Sequence, residues 1–400
     1  MHLSRRSLLT AASAGALSSV MPGLKVAMAA GAPSDILVVL FLRGASDGLQ
    51  MVAPAGNAEY IAARPTIKVP TSGTGAGLGL SSLGGVDFYM NPDAPELHSL
   101  FASGELAIVH AAGVPDGNRS HFDAQDMMEL GMITGESVPA DGWLTRHIAA
   151  LGQTQVAMST VANGASLPVS LNGYAAALAI PDVTTFNVTG GTTNANLIRT
   201  VTGGTSAYKS SSAATLNAIT VVQDGLAGVS TSSDAQYTNG PLSTRLKSLA
   251  KLIKMNIGLS VATVDHDGWD THDNLLEEFS GQAIELSQSL KAFWTDMKDY
   301  NDRITVVTMT EFGRRLEENE SQGTDHGSAS YMLVLGGAVN GGKIYGTWPG
   351  LKASELRSGD LAVTTDSRQV LAEIVQKRQG QPHLEQVFPA LKYQPLGIVS

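Results

Sequence analysis

The stretch Ile36-Leu37-Val38-Val39-Leu40-Phe41-Leu42, followed at once by Arg43-Gly44-Ala45-Ser46-Asp47-Gly48, decides the fold. Seven apolar residues without polar alternation, ended by a glycine-bracketed polar turn, predict a strand covered on both faces. Such strands belong to parallel sheets sandwiched between helices. Ala107–His110, Leu259–Val264, Ile304–Met309 and Tyr331–Leu335 give similar signals. Helical spacing fills the gaps at Glu96–Ser103, Phe122–Met132, Ser243–Ile257 and Leu275–Tyr300. In the last of these, Leu275, Phe279, Ile284, Leu286, Leu290, Phe293 and Met297 are expected to share one buried face. Strands alternating with helices predict an α/β fold: a doubly wound, mostly parallel sheet with helices on both faces.

Two segments break the alternation. Thr71–Gly85 is dense in Gly, Ser and Thr and reads as a loop or small flap. Thr184–Asn239 is long, rich in Ser, Thr, Asn and Gly and poor in charge. Apolar residues recur through it, so it reads as a cap or insertion with short helices rather than a linker.

The N-terminus carries an export signal. Arg5 and Arg6 lie in Ser-Arg-Arg-Ser-Leu-Leu-Thr (Ser4–Thr10), a weakly apolar stretch runs from Leu8 to Met21, and Ala27-Met28-Ala29 offers a cleavage site. The apolar part is too short to span a bilayer. Paired arginines with this flank predict the twin-arginine (Tat) route, with the Tat translocase as partner during export and a periplasmic or secreted destination. Residues 1–30 are therefore the signal peptide and 31–400 the mature α/β domain. Loss of Arg5, Arg6 and Lys25 takes the formal charge of −10 to −13. That acidity argues against nucleic acid or an anionic membrane surface as partner, and leaves room for a small anionic substrate. The chain has no cysteine, so any metal must be held by carboxylate and imidazole.

In a parallel α/β sheet, ligands bind beyond the carboxyl ends of the strands. Reactive residues follow each predicted strand. Asp47 follows the first; Arg119, Ser120 and His121 lie beyond the second; Asp265, His266, Asp267, Asp270 and His272 follow the third. Glu311 and Arg314 follow the fourth, and Asp325 and His326 stand just before the fifth. Four Asp and two His between Val264 and Asp273 suit Zn, Mn, Mg or Ca. Each residue also has a plainer reading. Ser120 could be only a helix N-cap, Glu311 a first-turn acid with Arg314 its partner, Asp-His-Gly (Asp325–Gly327) a turn, and Asp273 or Asn274 a cap.

Taken together, Leu37–Gly48, Arg-Ser-His-Phe-Asp-Ala-Gln-Asp (Arg119–Asp126), Gly-Trp-Asp-Thr-His (Gly268–His272), Thr-Glu-Phe-Gly-Arg (Thr310–Arg314) and Gly-Thr-Asp-His-Gly (Gly323–Gly327) resemble the Tat-exported domain-of-unknown-function family 1501. That family is distantly similar to the alkaline phosphatase and sulfatase superfamily. The resemblance implies an alkaline-phosphatase-like domain with a metal-activated Ser or Thr nucleophile. It implies Asp47, Asp270, His272, Glu311 and His326 as ligands of one or two divalent ions and Ser120 as nucleophile. Phe312 replaces a histidine that the superfamily usually has beside an acid. This substitution puts the second metal in doubt and allows a one-metal site with Arg119 or Arg314 holding the anion. The expectation is an exported metallohydrolase of phosphate- or sulfate-type esters. The alternatives are a non-catalytic periplasmic metal-containing binding or assembly protein, and an acyl hydrolase. The chain lacks the G-x-S-x-G pattern of the last.

Overall fold

The computed structural model describes residues 35–152, 158–202 and 207–400. The expected signal peptide lies outside these residues. The first strand, β1 (Ile36–Leu42), is buried at every position. Its neighbours explain why. Ile36, Val38, Leu40 and Leu42 enter one hydrophobic core, and Leu37, Val39 and Phe41 enter another on the opposite face. An alternating side-chain direction with an unbroken apolar sequence thus requires a layer on each side.

After β1 come the short helix α1 (Gly48–Met51), β2 (Val52–Ala53), α2 (Ala58–Ala63), β3 (Leu78–Leu83) and β4 (Val86–Met90). Then follow α3 (Pro95–Ala102), β5 (Leu106–Gly113), α4 (His121–Leu130), α5 (Trp143–Ala150), β6 (Thr160–Asn163) and β7 (Leu178–Ala179). The chain continues through α6 (Gly191–Val201), α7 (Ala207–Leu226), α8 (Pro241–Lys254), β8 (Val261–His266), α9 (Leu275–Asp296), β9 (Ile304–Met309) and β10 (Ser330–Gly336). It ends with β11 (Ile344–Tyr345), β12 (Thr365–Asp366), α10 (Ser367–Lys377) and α11 (Leu384–Val387).

The main sheet has the order β11-β5-β10-β9-β1-β8-β6-β7, with β12 also pairing β5. Leu97 of α3, Leu246 of α8 and Phe279 of α9 cover one face; Trp143 of α5 and Val370 of α10 cover the other. The expected α/β architecture is present. Within the sheet, β10 alone runs antiparallel, to both β5 and β9. No helix intervenes between Met309 and Ser330, so the chain turns back instead of crossing over. The reversal has a functional consequence. Ser330 at the start of β10 pairs with Ala112 near the end of β5, so Asp325 and His326 arrive at the edge where the parallel strands finish.

Three details differ from the sequence reading. Thr71–Gly85 is not simply a loop: it holds β3, which pairs with β4 in a small antiparallel sheet ordered β2-β4-β3. Gly84 and Gly85, at φ 61° and 81°, form the tight turn between them, a conformation that glycine adopts freely. In Thr184–Asn239 the helix α7 is 20 residues long, not short, and Ala218 and Val222 from it reach the main core. On α9 and its C-cap, Leu275, Phe279, Leu286, Leu290, Phe293 and Met297 are buried as expected, but Ile284 is 38% exposed and Ala283 is buried in its stead. Among the described residues no helix is long and apolar enough to cross a membrane.

Candidate metal centre

Four loops meet at the carboxyl edge of the sheet. The β1 loop must pass close to the β8 loop, and Gly44 permits it. Its φ is +114°, and a Cβ there would lie 2.6 Å from the Asp270 amide nitrogen. Arg314 knits the loops from below. Its guanidinium is wholly buried and donates to the carbonyls of Ala45 (2.9 Å), Thr324 (2.9 Å), Gly44 (2.7 Å) and Trp269 (3.2 Å), and to Asp270 Oδ1. The fork geometry of arginine suits several acceptors at once.

Above this platform, three imidazoles converge. His326 Nε2 lies 3.0 Å from His121 Nε2 and 2.9 Å from His272 Nε2. Asp270 Oδ1 lies 3.4 Å from His121 Nε2 and 3.2 Å from the Nε2 atoms of both His272 and His326. Among the described residues, His121, Asp270 and His326 offer atoms all within 4.8 Å of one another, and His272 adds a fourth on the more exposed side.

The outer nitrogens settle the tautomers. His326 Nδ1 sits 2.9 Å from the Arg119 carbonyl, which only accepts, so this nitrogen carries the hydrogen. His121 Nδ1 donates to Glu311 Oε1 at 2.8 Å, and His272 Nδ1 faces Asp325 Oδ1 at 3.3 Å. Burial would raise the Glu311 carboxyl, but bonds from His121, Gln125 and backbone amides outweigh it and hold it below the usual range. Burial likewise opposes ionisation of Asp325, and the bonds from Asn319 and His272 keep it low. Both therefore accept as carboxylates, and a neutral ring that donates from Nδ1 turns a bare Nε2 inward. Three lone pairs and a carboxylate oxygen at about 3 Å repel one another unless a cation lies among them.

The charges point the same way. Asp270, Glu311 and Asp325 face the cluster against one arginine, Arg314, an excess of two negative charges. For Asp270, the Arg314 bond and charge, with His121 and His272 beside it, overcome burial and hold the carboxyl low. His326 is lowered chiefly by burial, with Arg314 and His121 adding to it. His121 is raised by its bond to Glu311, so a proton competes with a metal ion for its Nε2. The donor set of nitrogen and carboxylate oxygen fits a borderline divalent cation.

The sequence-predicted residues divide into two groups. Asp270, His272 and His326 come together as expected. Asp47 does not join them. It is fully buried, with Oδ2 2.9 Å from Arg64 Nη1 and Oδ1 accepting from Arg64 Nη2 and the Gln50 amide. It is an N-cap and half of an internal ion pair. Glu311 stands one step behind the cluster, with Oε1 taking His121, Gly44 and Gln125, and Oε2 taking Thr310. Neither expected anion holder is free: Arg314 is committed as above, and Arg119 is paired with the buried Asp360. Ser120 occupies the N-cap of α4, yet its side chain makes no capping bond and it is only half-buried. Phe312 packs 5.0 Å from His121 and 4.9 Å from His326, filling the wall behind the rings.

His121 is a candidate ligand that sequence reasoning misses in favour of its neighbour Ser120. Its place after the second strand was visible; its pairing with Glu311, 190 positions away, was not. His110 is structural. It is fully buried between Phe88 and Trp348, bonded to the Val52 carbonyl, and its pKa is pushed down to about 4 by burial.

Comparison with known proteins adds the following. No curated protein matches the sequence. Among solved structures, the chain is similar to the C-terminal periplasmic domain of EcEptC from Escherichia coli in complex with Zn, at 8% identity and a TM-score of 0.35 over 76% of this chain and 74% of that one. It is similar to the lipoteichoic acid synthase LtaP from Listeria monocytogenes at 10% identity and a TM-score of 0.36, covering 84% and 76%. An alkaline phosphatase superfamily protein from Vibrio parahaemolyticus matches at 9% identity and a TM-score of 0.33, covering 76% and 60%. Residues 107–372, which include His121, Asp270, His272 and His326, match the model described as protein of unknown function (DUF1501), and the chain belongs to that family.

Proposed function

We propose that this chain is an exported metal-dependent hydrolase of phosphate- or sulfate-type esters. It works with one divalent ion held by His121, Asp270, His272 and His326, and with Ser120 as nucleophile. The observation that carries this reading is the convergence of three bare Nε2 atoms and one carboxylate oxygen one residue away from an uncommitted hydroxyl. Bound there, a divalent ion would supply Lewis-acid polarisation of the ester and lower the pKa of a nearby hydroxyl.

The protein's own residues do the rest. Glu311 and the Arg119 carbonyl fix two of the imidazoles in the ligating tautomer. Arg314 keeps Asp270 ionised. Ser120 begins α4, where unpaired helix amides favour an anionic group on the substrate. A small anionic ester is the substrate class that this set accepts. The paired arginines Arg5 and Arg6 support delivery through the Tat route, which suits a protein loaded with metal before export.

A screen of aryl phosphate, phosphodiester and aryl sulfate substrates, with Zn, Mn, Mg and Ca supplied in turn, tests the reading. With the active pair found, Ser120→Ala lowers kcat by about 10³-fold or more and leaves metal content unchanged. A Ser120→Ala protein that retains full turnover removes Ser120 as nucleophile. The second reading, a metal-containing binding or assembly protein without turnover, is favoured by one observation: the guanidinium groups of Arg119 and Arg314 are both committed to protein acceptors. Metal-loaded protein that is inactive on every substrate of the screen selects it.

A further inference from the structure

We propose that Arg43 is a positioning residue for the metal-binding cluster, acting through Gln125 and Glu311 on His121; the proposal rests on the metal-centre reading above. All three guanidinium nitrogens of Arg43 are used. Nε donates to Asp265 Oδ1 at 2.8 Å, Nη1 to Gln125 Oε1 at 3.0 Å and Nη2 to Glu129 Oε1 at 2.8 Å. The plane of the group lies over the Phe41 ring, 4.3 Å from its centroid. One side chain from the β1 loop thereby ties α4 to β8 at two successive turns of α4.

The side-chain amide of Gln125 transmits this constraint. Its oxygen takes the Arg43 hydrogen, which turns its NH2 group toward Glu311 Oε1 at 2.9 Å. Glu311 Oε1 receives the Gly44 amide at 2.9 Å and the His121 Nδ1 hydrogen at 2.8 Å as well. Three donors on one oxygen leave the carboxylate a single orientation, and that orientation aims the His121 ring. The chain Arg43–Gln125–Glu311–His121 therefore joins a charged anchor under the helix to a ligand at its first residue. His121 and Gln125 lie one helical turn apart, so movement of α4 displaces both together.

A lysine at position 43 keeps the charge but has no planar fork to reach three acceptors at once. Gln125→Ala removes the link while leaving the Arg43–Glu129 and Arg43–Asp265 pairs in place, so it separates positioning from simple support of the fold.

The test uses the full mature chain. Chelator competition with Zn measures affinity, ¹⁵N NMR of the metal-free protein reads the His121 tautomer, and thermal unfolding monitors the fold. Gln125→Ala and Arg43→Lys should each weaken Zn binding about tenfold, the low end of what losing an outer partner of a ligand costs. The double variant should be no weaker than the worse single one, because the two lie on one chain of contacts. In metal-free wild type His121 should carry its hydrogen on Nδ1, and in both variants the two tautomers should mix. Unchanged Zn affinity and unchanged tautomer in both variants overturn the proposal, and so does an additive double variant. A wild type with the fixed tautomer, lost in the variants, but no Zn affinity upholds the positioning role and overturns the metal reading instead.

Discussion

His326→Ala lowers metal affinity by at least about 100-fold. The expectation exceeds the 10–100-fold cost of removing an outer partner because His326 is the centre of the cluster. Its Nε2 is within 3.0 Å of both other imidazoles and 3.2 Å from Asp270. Without it, His121 and His272 lose their common neighbour, and three donors remain where the cluster had four. The side chain is 23% exposed at the rim of the sheet and outside the hydrophobic cores, so the fold is expected to survive its truncation. Isothermal titration with Zn, alongside circular dichroism, separates the two effects. A His326→Ala chain that binds Zn as wild type does would place the metal elsewhere.

Asp47→Ala has the opposite pattern: a loss of stability of about 3–5 kcal/mol, and near-normal metal affinity in the fraction that remains folded. Asp47 and Arg64 are both fully buried and 2.9 Å apart, and removing the acid leaves an uncompensated charge in the core. Arg64 retains the Leu316 and Arg315 carbonyls as acceptors, which limits the damage without neutralising the charge. The double change Asp47→Leu with Arg64→Met removes both charges and should recover most of the loss. Urea unfolding of the wild type and these two variants measures this. A single variant as stable as wild type but unable to bind metal would return Asp47 to the ligand set.

These two experiments bear on what the sequence could and could not reveal. The unbroken apolar run Ile36–Leu42 sufficed for a doubly covered strand, because burial on both faces leaves no other composition. The rule that ligands gather at carboxyl strand ends then placed Asp270 and His272 at one edge. The reversal of β10 was not anticipated, yet it is what delivers His326 there.

Side-chain direction was beyond reach of the sequence. Asp47 and Asp270 both follow strands at the same edge, and a partner decides between them: Arg64 lies 17 positions from Asp47 and captures it inside the core. Arg314 has an ordinary place in Thr-Glu-Phe-Gly-Arg, but its length carries the guanidinium under the loops, where backbone carbonyls take it up. Ser120 and His121 are adjacent, and only the ring has an acceptor, Glu311, waiting at the right distance. Long-range pairings of this kind leave no periodic trace in the chain.

In the proposed reading the convergent imidazoles hold a metal ion. Elemental analysis of the mature protein, purified from its native compartment without chelator, tests it most directly. One divalent ion per chain, lost on dialysis against chelator and restored by adding the metal back, is the expected result. Protein that carries no divalent metal, and takes none up at millimolar supply, would contradict it.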